Sequence, residues 1–383
     1  MRKLDIMRKI KNTVDICEKD YDIYTTYHSQ NRWVDSDTIV LWAKNKKTEK
    51  NYFMIVSLKN GTRKILNDNE GHYVADLASY TVSGRNIIYT ERDKVFKLNI
   101  DSMEEEIIFK IDQDEKILKF LYDDNADFKY KSNLIMPHVT NDGKYVSFFL
   151  IYANYDTMEP SGYIPEKYSI CYVVDIETKK LCYKFQKVFN GSAWVANHFA
   201  INPNDHNLVA FSHEGDCALV ANRVWFYDNN TEKMYNAAKQ KMTEDMDLGE
   251  QYTHDVWAPD GRGMYIVKFR DSIIKPCGIV YLDKESLEQE ILYTGFDYLH
   301  VAASCDDKYL VADTVMDSYT MESEIILIDQ EKKTEIPIDK VKVMPVHPCH
   351  AHPQMSPDNN KISYTMLREN GDIAVRIACM EEE

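Results

Sequence analysis

Glycine and proline are scarce, 13 and 11 among 383 residues, and no stretch is rich in Ser, Gly or Pro as a flexible linker would be. That argues against domains joined by flexible linkers and for one continuous architecture over residues 1–383. No run approaches the roughly 20 consecutive apolar residues that a membrane span requires. The opening MRKLDIMRKIKNTVDICEKD alternates charge with apolar residues and lacks the apolar centre of a signal peptide. A soluble, cytoplasmic protein without a membrane partner is expected. The eight cysteines include no C-x-x-C pair and no regular spacing, so reduced thiols, most of them buried as small hydrophobes, are expected rather than a disulfide framework. Basic excess is missing too. With a net charge of −16 the chain lacks the positive footprint of nucleic-acid binding, although net charge alone does not exclude an anionic ligand bound locally.

What the chain has instead is aromatic and β-prone residues. Hydrophobic content is 44%, and 26 residues are Tyr, which favours strands over helices. One unit recurs: a start residue, an apolar stretch, a turn of the S-P-D-G kind, then two β-rich runs. The turn has a mechanical reason, since Pro presets φ, Asp caps through its side chain and Gly accepts positive φ. The clearest copy, HDVWAPDGRGMYIVKFRD, begins at His254. Others begin near residue 30 (WVDSDTIVLWAKN), near 72 (HYVADLASYTVSGRNIIYTE), and at Met136, His198, His300 and His352. The intervals of 56, 46 and 52 residues between the last four starts lie close to the roughly 40 to 50 of four-stranded propeller blades. The sequence therefore predicts an all-β fold, a single seven-bladed β-propeller over 1–383. A short N-terminal helical segment is expected over residues 2–19, and helix formers also collect in 231–247. The longest insertion, near 155–168, reads as a lid or an edge loop.

Four units place His at one phase, immediately before the first strand: His198, His254, His300 and His352. Equivalent phases in a propeller lie at equivalent heights, so these imidazoles are expected to converge. Beside the last is HPCHAHP, which adds His347 and His350. Side chains two apart on an extended strand share a side, so His350 and His352 reach one ion together, with His347 approaching from the preceding loop and His300 from the neighbouring unit. A single such His usually serves only a strand end, whereas imidazole is the commonest metal ligand and the cluster as a whole points to metal. The donors suit Zn, Fe, Ni or Cu at least as well as Mn. A second element is FSHEGDCALVANRVWFYD, residues 211–228. It carries His213, Glu214 and Arg223, the last either turned toward the site or exposed on a blade face.

SHEG followed by NRVWFYD, THDVWAPDG, LHVAASCDD and HPCHAHPQMSPDN together resemble the oligogalacturonate lyases, cytoplasmic enzymes of pectin breakdown built on a TolB-like propeller. The resemblance covers roughly residues 194–366, and the N-terminal third matches mainly as repeat rhythm. It implies a divalent metal, manganese, held by His300, His350 and His352, with His347 standing where the family has Gln. It further implies His254 as general base and Arg223 as the assisting arginine. The chain departs from the family at His347, in DCALVA between SHEG and NRVW, and at the 155–168 insertion.

The implied reaction is β-elimination on a short anionic oligosaccharide such as digalacturonate, giving a 4,5-unsaturated uronate. The proton at C5 is too weakly acidic to leave unless the developing charge is neutralised, the task of the metal and Arg223. Neutral His254 would take it, and His198 and His213 are candidate substrate contacts. Two other readings stand beside this one: a metal-dependent hydrolase or isomerase acting on another sugar acid, and a non-catalytic propeller scaffold.

Overall fold

The computed structural model describes residues 8–66, 79–112, 114–122, 133–160, 164–189, 195–245, 247–345 and 347–382. The repeated turn behaves as its residues dictate. In Thr140–Gly143, Ala258–Gly261, Ser304–Asp307 and Ser356–Asn359 the fourth residue donates its N–H to the carbonyl of the first at 2.8–2.9 Å. The third residue is always Asp, and its Oδ1 accepts the backbone N–H two residues on: Lys144 at 3.1, Arg262 at 2.9, Lys308 at 3.2 and Asn360 at 3.1 Å. The fourth residue is left-handed each time, with φ of 73°, 67°, 58° and 60° at Gly143, Gly261, Asp307 and Asn359. Gly, Asp and Asn are the residues that tolerate this region. At Gly261 space matters as well, because a Cβ would sit 2.4 Å from Oδ1 of Asn202, whose Nδ2 donates to the Gly261 carbonyl at 2.8 Å.

By its contacts the chain divides into two compact units, Met1–Tyr73 with Tyr293–Glu383, and Val74–Leu292. The first holds three antiparallel sheets. One runs Tyr298–Ala303, Tyr309–Thr314, Glu322–Asp329, Thr334–Lys342; another Tyr21–Tyr24, Thr38–Asn45, Asn51–Ser57, Arg63–Ile65, with Trp33–Asp35 also on Thr38–Asn45. The third joins the ends of the chain. Gln354–Met355, Lys361–Leu367 and Ile373–Glu382 are completed by the N-terminal strand Arg8–Ile16. The expected helix over 2–19 is therefore corrected. Where the structure describes it, the segment is a strand in register with Ile373–Glu382, because an open sheet edge demands a partner. Asp15 fixes the pairing by accepting two bonds from Arg376, at 2.7 and 3.0 Å.

Among its described residues the second unit holds four sheets of four strands, beginning at Tyr80–Ser83, Ile135–Val139, Val195–Asn202 and Tyr252–Trp257. The repeat start near residue 72 lies outside the described residues. Among the described residues of 231–247 helix is not found either. Lys233–Asn236 is a strand, and a Met242–Leu248 bridge follows, since Tyr235 packs into the core around Phe226 and Trp257. Among the described residues the α-helix is Glu115–Leu121, capped by Asp114, which accepts from the Ile117 N–H. The insertion near 155–168 joins two paired strands, Tyr145–Ala153 and Lys167–Asp175, through a single 3-10 turn, with 161–163 outside the described residues.

Cys171 and Cys349 are buried, whereas Cys182 and Cys305 are exposed and the other four lie between. The expectation of mostly buried thiols is thus corrected, Cys182 standing on an edge strand and Cys305 in a turn. Among the described residues no helix is long and apolar enough to cross a membrane.

The first strand of a repeat carries a β-bulge in five sheets, at Trp33/Asp35, Ile135/His138, Asn197/Ala200, Tyr252/Asp255 and Tyr298/His300. A bulge bends the strand and re-aims the side chains beside it, and His198, His254 and His300 sit at these points. Met136, His198 and His352 add positive φ of 53°, 53° and 45°, uncommon for such side chains and a mark of positions fixed by their surroundings.

Candidate metal centre and the Arg223 cluster

In the first unit, His300 enters through its bulge and is fully buried. Its cross-strand partner is Asp313. The Asp313 carboxylate accepts the His300 backbone N–H at 2.8 Å, and its two oxygens lie 2.9 and 3.0 Å from Nδ1. With Nδ1–H directed at the carboxylate, Nε2 is the nitrogen left for a ligand, the usual carboxylate–histidine–metal arrangement. The second oxygen also accepts the His352 backbone N–H at 3.2 Å, so one carboxylate orients two histidines from different sheets. Burial pushes the Asp313 carboxyl up to about 7, opposed by the backbone N–H groups and by the potential of His350. A cation in the cluster would favour its charged form.

His352 is fully buried, and among the described residues neither ring nitrogen has a hydrogen-bond partner. Burial first, then the neighbouring imidazoles, hold it well below the ordinary histidine range, so it is a neutral donor. His350 and His352 do not lie on the extended strand expected of them. The strand begins only at Gln354, and a left-handed His352 turns the ring instead. His347, exposed, His350, half-buried, and His352 still bring ligand atoms within 4.8 Å of one another. A second triad, His28, His300 and His352, meets the same limit and is buried throughout. His300 and His350 have ring centres 5.6 Å apart.

His28 and Asp313 were missed in the sequence. His28 stands in T-T-Y-H-S-Q-N-R-W, ahead of a weak repeat and out of phase with the other histidines, so no periodic signal marked it. Asp313 did leave a trace, a lone acid inside the apolar strand YLVADT. Cys349, within the HPCH run, is buried and its thiol pushed up to about 12 by burial, so it is no thiolate donor near neutrality. The donor set is imidazole, and one fully buried imidazole has two unengaged nitrogens. These residues fit a divalent transition-metal ion.

In the second unit, Arg223 is buried, which removes the reading of an exposed blade-face arginine. Its Nη2 lies 2.9 Å from Oε2 of Glu214, and the same oxygen is 3.5 Å from Nε2 of His198. Burial would raise the Glu214 carboxyl, but Arg223 and then His198 hold it below its ordinary value. Burial lowers His198. The backbone N–H of Arg223 donates to Gln240 Oε1 at 2.9 Å, fixing the strand entry. His213 stacks on Phe189 with ring centres 3.7 Å apart, its Nδ1 2.7 Å from Asn222 Oδ1. His254 is half-buried, its Nδ1 3.1 Å from the Thr253 hydroxyl. The adjacent Asp255 is buried, accepts from the Ser212 hydroxyl at 2.6 Å and has its carboxyl raised by burial. Glu214, barely weighted by sequence, thus proves to be the partner of both Arg223 and His198.

A sequence model of the oligogalacturonate lyase family matches residues 153–324. The resemblance to that family holds. The match takes in His198, His213, Arg223, His254 and His300, and ends before His347. An oligogalacturonide lyase of Pectobacterium atrosepticum is 28% identical over 201 residues, 47% of this chain and 48% of that protein. An oligogalacturonate lyase of Dickeya dadantii is 26% identical over 194 residues, 46% and 48% of the two chains. The matched region thus spans about half the length of these curated relatives. A solved oligogalacturonate lyase in complex with manganese superposes with a TM-score of 0.74 at 16% identity, covering 98% of this chain and 96% of that one. Another, from Vibrio parahaemolyticus, gives 0.73 at 17% identity over 98% and 96%. At such identity the likeness shows the fold, an all-β seven-bladed propeller.

Proposed function

We propose that the protein is a metal-dependent lyase that cleaves short oligogalacturonates by β-elimination, with manganese as the ion expected from the resemblance. The observation that supports this reading is the histidine cluster, in which His300 and His352 are buried and share Asp313 as hydrogen-bond partner and His347 and His350 lie beside His352. His300, His347, His350 and His352 would hold the ion. A bound divalent ion supplies positive charge for the uronate carboxylate, which makes the neighbouring C5 proton acidic enough to remove.

In this reading neutral His254 accepts the C5 proton, a task suited to imidazole because its ordinary pKa lies near neutrality. Arg223 offers forked donors to the negative charge that develops as the proton leaves. Its pairing with Glu214 keeps the guanidinium oriented. Departure of the C4 glycosidic oxygen then leaves the 4,5-unsaturated product, with no hydrolytic water consumed. His198 and His213 are assigned to substrate contacts.

The test is ultraviolet absorbance of the new conjugated double bond, followed on digalacturonate with Mn²⁺, with chelator-treated protein and His254→Ala alongside. A metal-dependent rise that disappears in folded His254→Ala supports both the reaction and its base. Consumption of substrate without such absorbance would replace the lyase by a hydrolase or isomerase.

A further inference from the structure

We propose that His28 is a ligand of the same ion, so that one metal ties together all three sheets of the first unit. The inference rests on the reading that the histidine cluster binds a divalent metal, and adds to it a residue that neither the repeat pattern nor the resemblance assigns. Residues 25–32 link the strands Tyr21–Tyr24 and Trp33–Asp35. They are fixed from both ends. Thr25 donates its N–H to the Thr365 hydroxyl at 3.0 Å, and Gln30 donates to the Tyr27 carbonyl at 3.0 Å. Arg32, fully buried, donates from Nη2 to the His352 carbonyl at 2.9 Å and from its backbone to Gln354 Oε1 at 3.2 Å. Gln354 in turn donates to the Gln30 carbonyl at 3.2 Å. The frame that carries His28 is thus hydrogen-bonded to the frame that carries His352.

Within it the His28 ring is buried, its centre 5.0 Å from that of His300 and 6.1 Å from that of His352. One ring nitrogen from each of the three lies within 4.8 Å of the others. Imidazole nitrogens at such separations can surround an ion to which each binds at about 2.0–2.1 Å. Among the described residues both ring nitrogens of the buried His352 have no hydrogen-bond partner, so a ring nitrogen is available to an ion. His28 comes from the link between two strands of the sheet of Thr38–Asn45, His300 from the sheet of Tyr309–Thr314, and His352 from the segment entering the sheet of Lys361–Leu367. An ion bound by all three cross-links sheets that the chain order separates by more than 270 residues, as from His28 to His300. Since an ion bound only to the folded state stabilises it by mass action, loading should raise the melting temperature through His28.

The experiment measures Zn²⁺ and Co²⁺ affinity by chelator competition, the visible spectrum of the Co²⁺ protein, and melting with and without metal. Wild type, His28→Ala and His28→Asn are compared. Loss of a ligand should weaken binding by more than the roughly 10–100-fold that an outer residue costs, alter the Co²⁺ bands and shrink the metal-induced rise in melting temperature. The smaller change to Asn keeps the test readable if the alanine variant does not fold. A folded variant that binds Co²⁺ with wild-type affinity and an unchanged spectrum overturns the assignment of His28 alone. Wild type that binds neither ion overturns the metal reading as well.

Discussion

Replacing Asp313 by Asn tests whether the carboxylate organises the metal centre. Asp313 accepts three donors, the backbone N–H groups of His300 and His352 and the Nδ1–H of His300. Asparagine keeps one acceptor oxygen and puts an NH2 where the other was, so one of the three donors faces another donor. It also removes the negative charge behind His300. A stranded buried donor costs about 1–3 kcal/mol of stability, and loss of an outer carboxylate costs about 10–100-fold in metal affinity, or about 1.4–2.7 kcal/mol. Alanine would strand all three donors at once, so Asn is the more informative change. Chelator competition with Zn²⁺ on wild type and Asp313→Asn, each checked by thermal melting, measures both terms. Affinity indistinguishable from wild type in a folded variant would refute the orienting role of Asp313, and with it the Nε2 assignment of His300.

Other expectations follow from single contacts. Lys268 and Glu250 form a buried pair at 2.7 Å; Lys268→Met leaves an uncompensated carboxylate and should cost about 3–5 kcal/mol in chemical denaturation, most of it recovered in the double variant with Glu250→Gln. Asp306 is held below its ordinary value of 3.8, since bonds from Asn359, Lys308 and Ser304 outweigh burial, which raises it. Its stabilising contribution is therefore present above that pH and lost as pH falls through the lowered value, so Asp306→Asn should flatten the acid limb of a stability profile, modestly because the group is partly exposed.

The sequence by itself determined the repeat and marked most residues of the candidate site. The turn residues at Thr140–Gly143, Ala258–Gly261, Ser304–Asp307 and Ser356–Asn359 follow local rules of φ and side-chain capping, which act over four residues and are legible in any one copy. His198, His300 and His352 were marked because a repeat puts like residues at like positions. Tertiary structure decided what depends on distant partners. Arg8–Ile16 reads locally as charged and helix-prone, yet becomes a strand because the edge of Ile373–Glu382, more than 350 residues later in the chain, offers hydrogen bonds. Arg223 was ambiguous until Glu214 and His198 were placed beside it. His28 carries no periodic mark, and its place beside His352 rests on hydrogen bonds such as those of Arg32 and Gln354. Short-range conformational preference is written residue by residue, whereas a histidine cluster drawn from separate sheets exists only once those sheets have packed.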